Sequence, residues 1–250
     1  ACETEEDQPF WRREKVTVNA AYGNERLPIH LLLPHDAKPP YQTVVYFPGS
    51  GAITKTSSRA LSTVTFRFLV RHGRAVIYPV YKGTHERGEG HPSDMPDETV
   101  FFKDWVVHMA KDLFRTVDYL ETREDIDTGR LAYYGFSWGG ERGALLLALE
   151  PRFKVAVFLS GGLTPARSLP EVDPIHFAPR VETPVLMLNG VYDYFFPVEA
   201  GQKPLFDRLG TPAEHKRHVV YPGSGHALLQ GPSRNRVMGE ILAWLERYLR

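Results

Sequence analysis

Ser137 lies in Gly135-Phe136-Ser137-Trp138-Gly139, a G-x-S-x-G pattern. A serine hydroxyl is a poor nucleophile at neutral pH and attacks a carbonyl only when a base takes its proton. The base is most often a histidine, which in turn needs a carboxylate to hold its tautomer and stabilise the imidazolium. Two residues downstream suit these roles. Asp193 follows the apolar run Val185 to Leu188 through Asn189-Gly190-Val191-Tyr192. His226 follows the run His218 to Tyr221 through Pro222-Gly223-Ser224-Gly225, a flexible loop able to swing an imidazole over a neighbouring hydroxyl. Glu199 and Asp173 are rival acids. Glu199 lies past Pro197 on an expected helix and Asp173 lies in a proline-rich stretch, so Asp193 is preferred.

Attack on an ester carbonyl builds negative charge on its oxygen, and two N–H donors are needed to hold it. One expected donor is the backbone N–H of Trp138, directly after the serine. The second is expected from Gly49, Ser50 or Gly51 in the loop Pro48-Gly49-Ser50-Gly51, with Ser50 preferred by position. Aromatic residues accumulate in the candidate site loops: Tyr81, Phe101, Phe102, Trp105, Trp138, Phe195 and Phe196. They suggest an apolar pocket suited to aryl or medium acyl esters, with Gly49, Gly51, Tyr81, Trp105, Phe195 and Phe196 as lining candidates. No arginine or acidic pair is placed to read a charged substrate, though Lys82, Arg87 and Arg142 are near enough to leave this open. His85, His91, Glu86 and Asp94 fit no familiar metal spacing, so neither a metal nor a cofactor is expected.

These side chains need a scaffold that brings distant loops together. Leu131 to Tyr134 reads as a strand and Ala144 to Leu149 as a helix, so the G-x-S-x-G serine falls at a sharp turn between the two. Further strands are expected over Val16–Val18, Leu27–Leu33, Thr43–Phe47, Ala75–Tyr78, Val155–Leu159, Val185–Leu188 and His218–Tyr221. The first two, joined by a Gly23-Asn24 turn, read as an antiparallel edge hairpin. Helical spacing covers Ser62–Val70, Val106–Leu120 and Val237–Leu249, the last with an apolar stripe that suits either its own sheet or a second copy of the chain. Strands alternating with helices imply a mostly parallel sheet covered on both faces, with the ligand beyond the carboxyl ends of the strands. Residues 81–104 and 164–180 lack periodicity and read as loop excursions. Residues 1–9 read as a disordered tail, and 10–250 as one domain.

A chain of 250 residues with 42% hydrophobic content is long enough for one large α/β core. Thirty basic residues balance thirty acidic ones, so nothing argues for nucleic acid or an anionic membrane as partner. No run of apolar residues is long enough to span a bilayer, and no signal peptide is visible. A cytoplasmic location is expected, with secretion or trimming from a larger protein as alternatives. The single cysteine, Cys2, excludes an internal disulfide.

The serine turn, the NGVYDYFFP segment around Asp193 and the GSGHAL segment around His226 resemble the α/β-hydrolase superfamily, on its dienelactone-hydrolase and prolyl-oligopeptidase side. The resemblance runs from about Val16 to Arg250. DLFRTVDYLETREDIDTGRLAYYGFSWGG and the tract from Pro174 to Pro197 are similar to hydrolase modules found behind bacterial serine/threonine kinase domains. The resemblance implies a cofactor-free serine carboxylesterase. A peptidase or acylaminoacyl hydrolase is the alternative, and a non-catalytic regulatory module is the reading from a different class. Two departures stand out. Dienelactone hydrolases proper use a cysteine nucleophile, and the oligopeptidases carry a propeller domain for which this chain has no room.

Overall fold

The apolar runs become strands of one nine-stranded sheet in the computed structural model, which describes residues 2–88 and 93–250. The strands are β1 (Cys2–Gln8), β2 (Trp11–Asn19), β3 (Arg26–Pro34), β4 (Tyr41–Phe47), β5 (Ala75–Pro79), β6 (Ile126–Phe136), β7 (Val155–Leu159), β8 (Val185–Gly190) and β9 (Lys216–Tyr221). Their order across the sheet is β1-β2-β3-β5-β4-β6-β7-β8-β9. From β5 to the β9 edge every pairing is parallel, whereas β1, β2 and β3 pair antiparallel, β3 against β5.

Neighbouring residues along each inner strand feed opposite faces, which is why these strands read as unbroken apolar runs. On one face Val45, Ile77, Tyr133, Phe158 and Met187 meet α2 (Val100–Leu120) and α3 (Trp138–Leu149). On the other face Val44, Val76, Tyr134, Val157 and Leu186 meet α1 (Arg67–Arg71) and α6 (Arg234–Tyr248). Two shorter helices, α4 (Pro174–Phe177) and α5 (Lys203–Arg208), add Phe177 and Leu205 to the first face. The stripe of α6 is spent on its own sheet, where Val237, Ile241, Trp244 and Leu245 are buried. Among the described residues no helix is long and apolar enough to cross a membrane.

Two expectations are corrected. The expected tail at 1–9 contains β1, which pairs with β2 from Cys2↔Val16 to Gln8↔Trp11. Its composition suggested disorder, but the backbone of β2 offers an open ladder of donors and acceptors, and pairing satisfies it. The excursion expected over 81–104 ends earlier, because α2 begins at Val100. Thr99 caps that helix: its Oγ1 accepts from the Phe102 N–H at 3.1 Å.

The start of that excursion is fixed to α2 by a buried ionic knot. The Asp112 carboxylate, with no exposed surface, accepts from Tyr22 Oη at 2.9 Å, Lys82 N at 2.8 Å and Arg87 Nη1 at 2.5 Å. Burial pushes the Asp112 carboxyl up, and the Arg87 guanidinium opposes this. Lys82 and Arg87 also pair with Glu25, at 2.6 and 3.1 Å.

Candidate active site

β6 ends at Phe136 and α3 begins at Trp138, leaving Ser137 alone to make the turn at φ 55° and ψ −110°. A non-glycine residue in that region is strained, and strain of this kind persists only where the surroundings enforce it. They do so by crowding. A Cβ on Gly135 would sit 2.3 Å from the Gly139 carbonyl oxygen, and one on Gly139 would sit 2.4 Å from the Phe47 carbonyl oxygen. Strand and helix can approach this closely only with glycine at both places. The turn is tied to both neighbouring strands, through Ser137 N to Leu159 O at 2.8 Å and Gly139 N to Pro48 O at 3.1 Å.

The loops after β8 and β9 bring the other two residues to the same place. His226 Nε2 lies 2.8 Å from Ser137 Oγ, and His226 Nδ1 lies 2.8 Å from Asp193 Oδ2. An ionised carboxylate only accepts, so Nδ1–H donates to Asp193 and Nε2 is left to accept from the Ser137 hydroxyl. The other Asp193 oxygen, Oδ1, accepts from the Phe195 and Phe196 N–H groups at 3.0 and 3.2 Å. The carboxylate is fully buried and the imidazole is 16% exposed. The imidazole is surrounded by Phe195, Phe136 and Phe196, with ring centroids 4.8, 5.7 and 6.0 Å away.

The candidate oxyanion donors flank the serine. Ser50–Ala52 forms a 3₁₀ turn after β4, and its first N–H groups have no acceptor within the turn. The loop comes close enough that a Cβ on Gly49 would lie 3.4 Å from Ser137 Cβ. Trp138 offers its N–H from the first turn of α3, where the helix dipole also favours negative charge. Its side chain is fully buried, 5.2 Å from Phe47 and 5.3 Å from Trp105 between ring centroids.

A cavity of about 540 Å³ opens at Ser137 and His226. Of the lining candidates, Gly49, Gly51, Phe195 and Phe196 lie along it, joined by Ser50, Phe136, Met95, Asp94, Thr164, Pro165 and Tyr194. Tyr81 and Trp105 do not. Tyr81 stacks on Phe47 at 4.1 Å and donates to the Tyr46 carbonyl, while Trp105 donates to the Lys82 carbonyl; both belong to the core beneath the site. The three cations left open for a charged substrate do not line this cavity either. Lys82 and Arg87 are held in the ionic knot, and the buried Arg142 guanidinium lies 5.2 Å from the Phe102 ring. Of the four candidate metal ligands, His85 faces Tyr78 Oη at 3.2 Å and Glu86 accepts from Ser58; Asp94 lines the cavity, and His91 lies outside the described residues.

Several residues that hold the site together carried no motif. Ser160, at φ 53° after β7, donates from Oγ to the His226 carbonyl at 2.7 Å. Gln202 donates to the Gly190 and Phe196 carbonyls at 3.0 and 2.7 Å, bracing both ends of the Asp193 loop. The Ser160-Gly161-Gly162 sequence at a strand end was the one available hint for the first. Glu141, one turn along α3, was missed as well. Burial pushes its carboxyl up to about 7, with the charges of Asp94 and Asp173 in the same direction and Arg142 and Thr164 against it.

A mostly parallel sheet whose central strand turns through a strained serine into a helix is the α/β-hydrolase fold. Within that class the chain belongs to the dienelactone hydrolase family, whose model matches residues 31–241. An Escherichia coli O157:H7 protein named "Putative carboxymethylenebutenolidase" is 29% identical over 172 residues, covering 64% of this chain and 63% of that protein. The chain thus spans less than two thirds of that relative's length. Among solved structures, a cold-adapted esterase from an Arctic intertidal metagenomic library superposes with a TM-score of 0.70 at 20% identity, covering 98% of this chain and 97% of that one. A Mycobacterium tuberculosis puromycin-hydrolysing peptidase superposes with a TM-score of 0.75 at 19% identity, covering 96% of this chain and 39% of that one. These two likenesses are of fold.

Proposed function

We propose that the protein is a serine carboxylesterase that works through an acyl-enzyme. The observation that carries this reading is the unbroken chain from Ser137 Oγ to His226 Nε2 to Asp193, with both distances at 2.8 Å and the serine on a strained turn. His226 takes the hydroxyl proton as Ser137 Oγ bonds to the ester carbonyl carbon. The oxyanion then rests on the N–H groups of Trp138 and Ser50. His226 returns the proton to the departing alcohol as its C–O bond breaks. Water, deprotonated by His226, attacks the acyl carbon, and Ser137 leaves with that proton. Asp193 keeps the imidazole oriented and stabilises its charged form in both halves. The Phe136, Phe195, Phe196 and Met95 lining supports short-to-medium acyl or aryl esters.

Treatment with a fluorophosphonate followed by peptide mapping tests the assignment. A single adduct on Ser137 is expected, absent from Ser137→Ala and suppressed in His226→Ala. Either variant should lose about 10⁴-fold or more in ester turnover. Labelling elsewhere, or full turnover by Ser137→Ala, would sink the reading.

A further inference from the structure

A side pocket of about 210 Å³ adjoins the Ser137 cavity and shares Thr164 and Pro165 with it. Among the described residues no aromatic side chain lines it, and its polar groups are incompletely bonded. Glu141, 2% exposed, stands on the turn of α3 whose N–H bonds back to the Ser137 carbonyl at 3.0 Å. Among the described residues its carboxyl has long contacts only, 3.3 Å to Thr164 Oγ1 and 3.6 Å to Arg142 Nη2. Ser168 is 5% exposed, and its Oγ has no hydrogen-bond partner among the described residues. Asp173 adds a second carboxylate, with one oxygen accepting from Ile175 N at 3.1 Å. The exposed Arg167 and Arg208 also line it, and prolines, alanines, Leu163 and Ile175 make up the rest of the wall.

Buried polar groups without partners are rare, because each forfeits its bonds to water. An acyl chain placed here would leave Ser168 unbonded and give the Glu141 carboxyl nothing beyond its long contacts. A cation would face Arg167 and Arg208, with Arg142 behind Glu141. An anion would face Glu141 and Asp173. A neutral hydroxyl meets neither objection, since it donates to the carboxylates and accepts from Ser168 or the guanidinium groups. We propose that this pocket binds the hydroxyl-bearing half of the substrate, so that the preferred esters are acylated sugars or polyols. The proposal rests on the reading of Ser137 as the nucleophile, and it names the substrate class of that same site.

Two acetates of similar size separate the effects: 6-O-acetylglucose, and cyclohexylmethyl acetate, which lacks the hydroxyls. The wild type should favour the sugar ester in kcat/KM by about tenfold or more, as expected for one or two well-made hydrogen bonds. Ser168→Ala removes a hydroxyl that has no hydrogen-bond partner among the described residues, so folding should tolerate it, and it should cut that ratio severalfold. Glu141→Gln should cut it too. A ratio near one in the wild type, or one that neither substitution moves while Ser137 still labels, overturns the proposal. Saturation-transfer NMR with glucose gives a reading independent of turnover: a signal lost in Ser168→Ala supports the pocket, and no signal from the wild type overturns it. If Ser137 fails to label, the hydrolase reading falls, and the NMR result alone decides the pocket.

Discussion

Asp193 and Glu141 are buried carboxylates on two sides of Ser137, and the fold treats them in opposite ways. Asp193 sits in a loop wrapped around it: two backbone N–H groups take one oxygen, the imidazole takes the other, and Gln202 braces the loop. Among the described residues Glu141 has one long hydrogen bond and a neighbouring guanidinium at 3.6 Å. A fully bonded carboxylate is fixed in place and can hold a base in one orientation. A half-bonded one keeps bonding capacity in reserve, at a cost to stability that shows in its raised pKa.

Replacing Asp193 by Asn should break the comparison most visibly. The amide can donate to Nδ1 and trap the wrong tautomer, so kcat should fall by about 10³–10⁴-fold while the fold survives. Ester kinetics alongside thermal melting would decide it, and a loss under tenfold would remove Asp193 from its proposed role.

Asp112 sharpens the contrast, because it too is fully bonded but lies away from the chemistry. Asp112→Ala leaves the buried Arg87 with Glu25 as its remaining carboxylate and should lower stability by about 3 kcal/mol, read from urea unfolding. Surviving folded protein should keep its turnover; a stability loss below about 1 kcal/mol would mean the knot is bonded no better than an exposed pair.

The smallest effect belongs to Glu141. Its carboxyl is raised from 4.5 to about 7, so the unfolded chain ionises first as pH rises and the folded state loses stability across that window. Above it the penalty is constant, on the order of 3 kcal/mol for a shift of this size. Glu141→Gln cannot ionise. Its melting temperature relative to wild type should therefore be higher at pH 8 than at pH 5, and an equal difference at both would contradict the assignment.

What the sequence revealed follows from this same division. Ser137, Asp193 and His226 each follow an apolar run with a glycine within three residues, so residue type and position pointed together. The inner strands were legible because both of their faces are covered. Tyr81 and Trp105 were misplaced because an aromatic side chain does not announce which face it takes, and theirs turn toward Phe47 and Trp138. β1 was invisible because its pairing is decided by the edge of β2, not by its own composition. Glu141 gains its meaning only from a wall built by 163–168 and Asp173–Ile175, whose chain path has no periodicity to read.

Ser160 carries one more implication. Its hydroxyl holds the carbonyl of a residue 66 positions away, and that residue's imidazole reaches a serine 89 positions back. Neither contact exists until β6, β7, β8 and β9 lie side by side, and closures this distant along a chain come late in assembly. On its proposed role, Ser137 would therefore react only in molecules whose sheet is assembled from β6 to β9, so labelling it would report that assembly.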